Sequence, residues 1–213
     1  MPKKSKKEAG RRKSLKTVVW EFIKTVGLAV ILALIVRDAL VMAYVIPSGS
    51  MEGTLAVGDR IMVSKCAYGV WLPWLHFKIV PGGEIERGDV IVFKHPSQHV
   101  DYVKRVIGLP GEEVRIVNKQ VYVNGAPLSE PYVRHTDPIT LSGVVTARDN
   151  YGPVVVPPGH LFVMGDNRDN SNDSRFWGFV DKSLVEGQAG LRLWSYDAEH
   201  SKIRWSRILT WIN

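Results

Sequence analysis

The sequence predicts a mainly β fold, an antiparallel sheet partly closed into a barrel, behind one N-terminal transmembrane helix. Three observations carry this. An apolar run, TVGLAVILALIV at 25–36, follows a strongly basic terminus. After residue 40, short segments rich in Val, Ile and aromatic residues alternate with Pro and Gly turns. No amphipathic stretch of helical period and about 12 residues stands out there.

The terminus comes first. Of 28 Lys and Arg residues, eight lie in residues 1–17, beside one of the 21 acidic residues, Glu8. That leaves 20 of each sign, so the net charge of +7 belongs to the tail. A nucleic-acid binder spreads its cations over a folded face, so no nucleic-acid partner is expected. The tail fits the positive-inside bias of membrane proteins. The apolar run spans about 18 Å as a helix; extended back to Thr17 it reaches about 30 Å, the hydrocarbon thickness. The extension takes in Glu21 and Lys24, spaced to pair or to reach the interface. Arg37 and Asp38 mark the far edge.

The chain thus divides into a basic cytoplasmic tail (1–16), an anchor (17–38) and an extracytoplasmic β-rich domain (39–213). Such a protein is a single-pass resident of the plasma or inner membrane. Two other readings fit the same run: a cleaved signal peptide ending near Ala43, and a buried core helix.

Within the domain, strands are predicted at 60–67, 89–94, 102–107, 113–117, 120–123, 143–147, 161–164 and 190–194. Turns fall at Pro81-Gly82-Gly83, Pro110-Gly111 and Asn124-Gly125.

Cys66 is the single cysteine, so no intrachain disulfide forms; it reads as a small apolar residue. There is no HExxH and no GxSxG. His76, His135, His160 and His200 are isolated. His95 and His99 have the spacing of helical metal ligands, but Pro96 between them opposes a helix. No metal or other cofactor is expected.

A nucleophile is easier to place. Ser50 sits in PSGSM (47–51), a short flexible loop directly behind the anchor. It needs a base. Lysine serves when neutral, and bringing its pKa from about 10.4 to 7 takes about 4.6 kcal/mol, within reach of burial. Lys104, inside DYVKRVI (101–107), meets that condition; Lys65 and Lys94 lie near strand ends. Alternation puts Lys104 and Tyr102 on one face, Val103 and Arg105 on the other. The alternatives are a solvent-facing Lys104 and a Ser–His–Asp triad with no histidine singled out. A third stretch, MGDNRDNSNDSRFWGFV (164–180), reads equally as a self-satisfied Asx-turn loop and as groups that orient a base.

Together, PSGSMEGTL (47–55), GDRIMVSK (58–65), RGDVIVFKHP (87–96), DYVKRVIGLPGE (101–112) and GDNRDNSNDSRFWGFV (165–180) resemble the bacterial type I signal peptidases, or leader peptidases. The resemblance runs through nearly the whole chain in order and spacing. It implies a membrane-bound serine endopeptidase that removes signal peptides from secreted preproteins after small residues, at Ala-x-Ala sites. It implies Ser50 as nucleophile, Lys104 as general base, and Ser48 with the Ser50 N–H as oxyanion hole. Ser171 would hydrogen-bond and aim Lys104, with Asp173 and Arg175 as a supporting ion pair. Tyr44, Ile46, Met51, Leu55, Ile61, Val92, Tyr102 and Val103 would line the substrate pockets. Implied partners are signal peptides, membrane lipid and the protein translocation machinery.

Two positions depart from the family pattern. Gly53 stands where Pro is common, and Asn172, where a small residue is frequent, is expected to point outward. Lysine rather than histidine separates the chain from the endoplasmic-reticulum enzymes. Arg87-Gly88-Asp89 reads as a turn entering a strand. The segment 71–75, with Trp71 and Trp74, reads either as a hairpin packed on the core or as a lipid-touching tip. A rival function is a non-catalytic, membrane-anchored β module that binds secretion components. A self-cleaving Ser/Lys repressor would need a DNA-binding domain, for which residues 1–40 are too short and too apolar.

Overall fold

The computed structural model describes residues 15–72, 77–80, 82–98 and 100–212; side chains at 17–18, 33–39, 70–72 and 77–80 lie outside that description. The tail up to residue 14, most of the 71–75 segment including Trp74, His76 and His99 therefore fall outside it. The chain forms two compact units, residues 1–39 and 40–213.

The described residues of the first unit belong to one helix, α1 (Leu15–Leu40), of 26 residues. Its apolar side chains from Val19 to Leu32 are exposed, among them Trp20, Phe22, Ile23, Leu28 and Ile31. Lys24 places its Nζ 5.1 Å from the Trp20 ring centroid, which eases one charge within the run. Among the described residues, no helix is long and apolar enough to cross a membrane.

The second unit is built from strands. In chain order they are β1 (Val41–Val45), β2 (Asp59–Ser64), β3 (Val70–Leu72), β4 (Phe77–Val80), β5 (Val90–Lys94), β6 (Asp101–Gly108), β7 (Glu113–Val117) and β8 (Gln120–Val123). There follow β9 (Ala126–Pro127), β10 (Tyr151–Val155), β11 (His160–Met164), β12 (Val180–Asp181), β13 (Val185–Asp197), β14 (Lys202–Ile203) and β15 (Thr210–Trp211). Among the described residues of this unit, the one α-helix is α2 (Ser174–Trp177), a single turn.

Nine strands make one sheet with the path β1-β2-β13-β5-β6-β11-β12, with β14 and β15 added on β13. Every strand pairing in it is antiparallel. Register shifts along β13 at 185–187, 189–191 and 192–194 bend the sheet, as bulges do. It curls into half a barrel. A second sheet, β10-β7-β8-β9, and the ribbon β3-β4 complete the domain.

The pattern explains the layout. Val90, Ile91, Val92 and Phe93 of β5 are all buried, as in a strand covered on both faces. Ile91 and Phe93 join Val106, Leu161 and Val163 in one cluster; Val90 and Val92 join Ile46, Met51, Leu55 and Ile61 in another. A third, with Ile107, Val114, Val121 and Phe162, lies between the sheets. Asn124 and Gly125, φ 51° and 80°, form the expected two-residue hairpin turn between β8 and β9. Asn118 and Lys119, φ 48° and 72°, turn β7 into β8 without a glycine to signal it.

One predicted strand is corrected. Residues 143–147 form turns, with Val144 97% exposed, so their β-branched residues pack on nothing. The strand is β10, which contains Gly152 and Pro153. It lies at a sheet edge, where a missing N–H is tolerated.

Phe162 links the sheets: it belongs to β11, packs in the intersheet cluster, and its ring lies 5.6 Å from Tyr151 and 6.2 Å from Phe179. We expect Phe162→Ala to cost about 3–5 kcal/mol of unfolding free energy, measured by denaturant titration.

Candidate active site

After β1 the chain leaves the sheet and makes a 3₁₀ turn, Gly49–Met51. Met51 and Leu55 plug into the core at 1% and 0% exposure and pin the turn. Ser50 is held at the rim of a cleft of about 500 Å³, lined by Ile46–Met51, Val100–Lys104, Asn170 and Asn172.

Across the cleft β6 runs inward. Its burial rises from the exposed Asp101 to Lys104, which is 2% exposed. Lys104 Nζ lies 2.6 Å from Ser50 Oγ and 5.6 Å from the Tyr102 ring centroid, on the same face as expected. Burial lowers the Lys104 pKa to about 8; Asp173 pulls it up, Arg175 down and Asp166 up by charge. With its pKa brought down to about 8, the amine is neutral in about one molecule in ten at pH 7 and in most above pH 8, and the neutral form can accept the proton of the serine hydroxyl it touches.

The two neighbouring carboxylates are already taken. Asp166 accepts from Arg105 Nε at 2.9 Å and Nη2 at 2.8 Å, and from Thr54 Oγ1 at 2.6 Å. Asp173 accepts from Arg175 Nε and Nη2, both at 2.8 Å. Burial would raise the Asp173 pKa, but Arg175, the Gly165 N–H and the Ser171 hydroxyl hold it below the ordinary carboxylate value. Asp173 also caps α2, accepting from the Arg175 N–H.

Ser48 Oγ lies 3.5 Å from Ser50 Oγ on an exposed stretch of the loop. Ser171 is buried beside Asp173, but its hydroxyl makes no hydrogen bond of ordinary geometry and none to Lys104. The expected Ser171–Lys104 bond is therefore corrected: the Ser171 hydroxyl is directed to the Asp173 carboxylate and not to the lysine amine.

Of the eight expected pocket residues, Ile46, Met51, Tyr102 and Val103 line the cleft. Leu55, Ile61 and Val92 do not; at 0% exposure they pack behind Ile46 and Met51 as core. Tyr44 packs on the same cluster and donates to Glu186 Oε2 at 2.6 Å, away from the cleft lining. Asn172 is exposed as expected, and it also lines the cleft.

Residues 165–167, adjacent in sequence, were not singled out individually. A Cβ on Gly165 would fall 2.3 Å from Ser171 Oγ and 2.4 Å from Ser50 O, so only glycine lets the two segments meet. Asp166 is the partner of Arg105. Asn167 contacts the nucleophile turn directly. The available signal was Arg105 itself, for an arginine inside an apolar strand requires a buried carboxylate. Gly53 has φ 117°, which proline cannot adopt, so here the loop is shaped for glycine.

His95 is structural. Its Nδ1 accepts from the Ser97 and Gln98 N–H groups at 3.2 Å, and burial lowers its pKa.

A serine hydroxyl and a buried lysine amine thus lie in contact beside a cleft, on an antiparallel sheet. Comparison with known proteins gives the family. Residues 19–194 match the family described as signal peptidase, peptidase S26, and the chain belongs to that family. The signal peptidase I of Pseudomonas aeruginosa is 43% identical over 178 residues, 74% of this chain and 62% of that protein. The signal peptidase I of Bacillus licheniformis is 38% identical over 81% of this chain and 87% of that protein. Signal peptidase IB of Staphylococcus aureus is 34% identical over 85% of this chain and 93% of that protein. The matched part thus spans less than two thirds of the Pseudomonas relative.

The close approach at Gly165 generates a prediction. Gly165→Ala forces Ser171 and the Ser50 carbonyl apart, and we expect it to lower stability by roughly 1–3 kcal/mol in denaturant titrations.

Proposed function

We propose that this chain is a membrane-bound serine endopeptidase that removes N-terminal signal peptides from secreted preproteins, after small residues of the Ala-x-Ala type. The 2.6 Å contact between the buried Lys104 amine and Ser50 Oγ, at the rim of an apolar cleft, carries the reading. The family membership and the names of the relatives support the substrate class.

In this reading neutral Lys104 takes the Ser50 proton as Oγ attacks the carbonyl carbon after the small residue. The Ser50 N–H and the Ser48 hydroxyl receive the developing oxyanion, at about 3–4 kcal/mol per donor. Lys104 then gives its proton to the leaving amine, and water hydrolyses the acyl-enzyme with Lys104 again as base. Ser171, Asp173 and Arg175 support the lysine from behind without touching the substrate. The extended substrate lies along the free edge of β6, with small side chains toward Ile46, Met51, Tyr102 and Val103.

The anchor belongs to the same proposal. At 1.5 Å per residue the 26 residues of α1 measure about 39 Å, longer than the roughly 30 Å hydrocarbon core. Its exposed apolar face supports the placement in lipid, and the basic residues before it put the N-terminus in the cytoplasm. The translocation machinery is the partner that would deliver preproteins to such an enzyme.

Two experiments test this. Cleavage of a preprotein with an Ala-x-Ala site should fall at least about a thousandfold in Ser50→Ala and in Lys104→Ala. Because the charged lysine is the inactive form, wild-type kcat/KM should climb about tenfold from pH 7 to 9 and level off above the Lys104 pKa of about 8. Full cleavage by Lys104→Ala, or a flat pH profile, refutes the assignment. In the second experiment, removing residues 1–38 should move the protein from the membrane to the soluble fraction while cleavage of a soluble peptide persists. Retention in the membrane refutes the anchor.

A further inference from the structure

We propose that Asn167 is a positioning residue for the oxyanion hole, one side chain that sets both peptide planes meeting at Ser50. This rests on the Ser/Lys reading above and deepens it.

The observations are geometric. Asn167 Nδ2 donates to Gly49 O at 3.1 Å. The Asn167 backbone N–H donates to Ser50 O, also at 3.1 Å. These two carbonyls belong to the peptide groups on either side of the Ser50 Cα. A trans peptide is planar, with its C=O and N–H pointing opposite ways. Holding Gly49 O toward the buried Asn167 (1% exposed) therefore turns the Ser50 N–H away from the interior, toward the cleft that Gly49 and Ser50 line. That N–H stands in the first turn of a 3₁₀ helix, where the leading amides have no partner within the turn. Holding Ser50 O fixes the next plane, and with both planes set the direction of Oγ toward Lys104 is set as well.

The nucleophile turn alone supplies little of this restraint. Locally, Gly49 O receives the Glu52 N–H at 3.0 Å. Asn167, by contrast, is fixed from behind. Arg134 N–H donates to Asp166 O at 2.8 Å and Arg168 N–H donates to Arg134 O at 3.0 Å, bracketing Asn167 in a parallel bridge. Asp166 is locked by Arg105. The donor that aims the oxyanion amide thus sits on a rigid support anchored to the strand that carries the base.

The test uses the full chain in detergent and two variants. Asn167→Ala removes the donor. Asn167→Leu removes it while keeping the branched shape of the side chain and adding no charge, so a packing defect does not decide the result. Substrate turnover is compared with binding of two probes, a peptide ending in an alaninal aldehyde and the same peptide ending in the alcohol. The aldehyde reports on the tetrahedral state. Ser50 Oγ bonds to its carbonyl carbon, the C=O π pair moves to the oxygen as the oxyanion, and the serine proton passes to Lys104. The alcohol forms no such adduct and reports ground-state binding.

We expect kcat to fall about 10- to 100-fold in both variants and aldehyde affinity to fall by the same factor. KM, alcohol affinity and the apparent pKa of the pH profile should stay within about twofold or 0.3 pH unit of wild type. The proposal is overturned by a kcat within twofold of wild type, or by a loss of kcat with aldehyde affinity unchanged. It is likewise overturned if substrate, alcohol and aldehyde binding all weaken together. Activity surviving in Ser50→Ala would instead refute the underlying Ser/Lys reading, whatever Asn167 does.

Discussion

Everything at this site depends on burying the Lys104 amine without giving it a counter-ion. A lysine with a carboxylate at hand keeps its proton, and a lysine in water does the same. Here both routes are closed. The end of β6 is covered on both faces, so the amine is 2% exposed. The two carboxylates near it are each gripped bidentately by an arginine, Asp166 by Arg105 and Asp173 by Arg175. These four charges sum to zero before the lysine is counted. Its residual attraction to Asp173 is offset by repulsion from Arg175, and desolvation decides. The arginines thus act on the lysine by occupying the acids. Asp173 is kept charged by the same pairing, so it offers no proton that would substitute for the one Lys104 loses.

The placement of two consecutive cations, Lys104 and Arg105, inside an apolar strand is costly in isolation. The segment from Gly165 to Arg175 makes it tolerable. Gly165 admits the nucleophile turn, Asp166 satisfies Arg105, Asn167 holds the Gly49 and Ser50 carbonyls, and Asp173 satisfies Arg175 and caps the following turn. The alternation of β6 sends Lys104 to one face and Arg105 to the other. One short loop can therefore serve the reactive cation on the cleft side and the structural cation behind it.

Much of this was legible in the sequence because it is local. The helix before residue 40, the β5 and β6 segments and the Asn124-Gly125 hairpin follow from apolar period and turn chemistry. Ser50, in a flexible loop, and Lys104, in an apolar strand, stood out as candidates, but the residues alone left a solvent-facing Lys104 and a histidine base open, and the resemblance to a family joined the pair. What was not legible depends on packing at long range. Leu55, Ile61 and Val92 are apolar residues of the right kind, and nothing in a strand pattern tells cleft wall from the layer behind it. Ser171 stands beside Asp173 and not on Lys104, a difference of side-chain direction within one loop. Residues 143–147 carry two adjacent valines and read as a strand, whereas the edge strand β10 is disguised by Gly152 and Pro153. The membrane anchor is a property of the surroundings as much as of the helix, and it stays with the proposal.

The pairing of β6 links binding to catalysis in the proposed reaction. Residues 101–105 pair with β5 on one edge, while β11 reaches only residues 105–108 on the other. Among the described residues, no strand pairs with that second edge along 101–104, and the cleft lies along the same residues. A peptide added there satisfies the open backbone groups of the strand that carries the base. The same peptide covers the cleft side of Lys104, where the remaining water has access. Docking therefore strengthens the desolvation that favours the neutral amine, and it does so only when an extended segment with small side chains fits against Ile46, Met51, Tyr102 and Val103. A larger side chain would hold the peptide off the strand and leave the amine wetter and more readily protonated. Selection of the substrate and activation of the serine are then two effects of one contact.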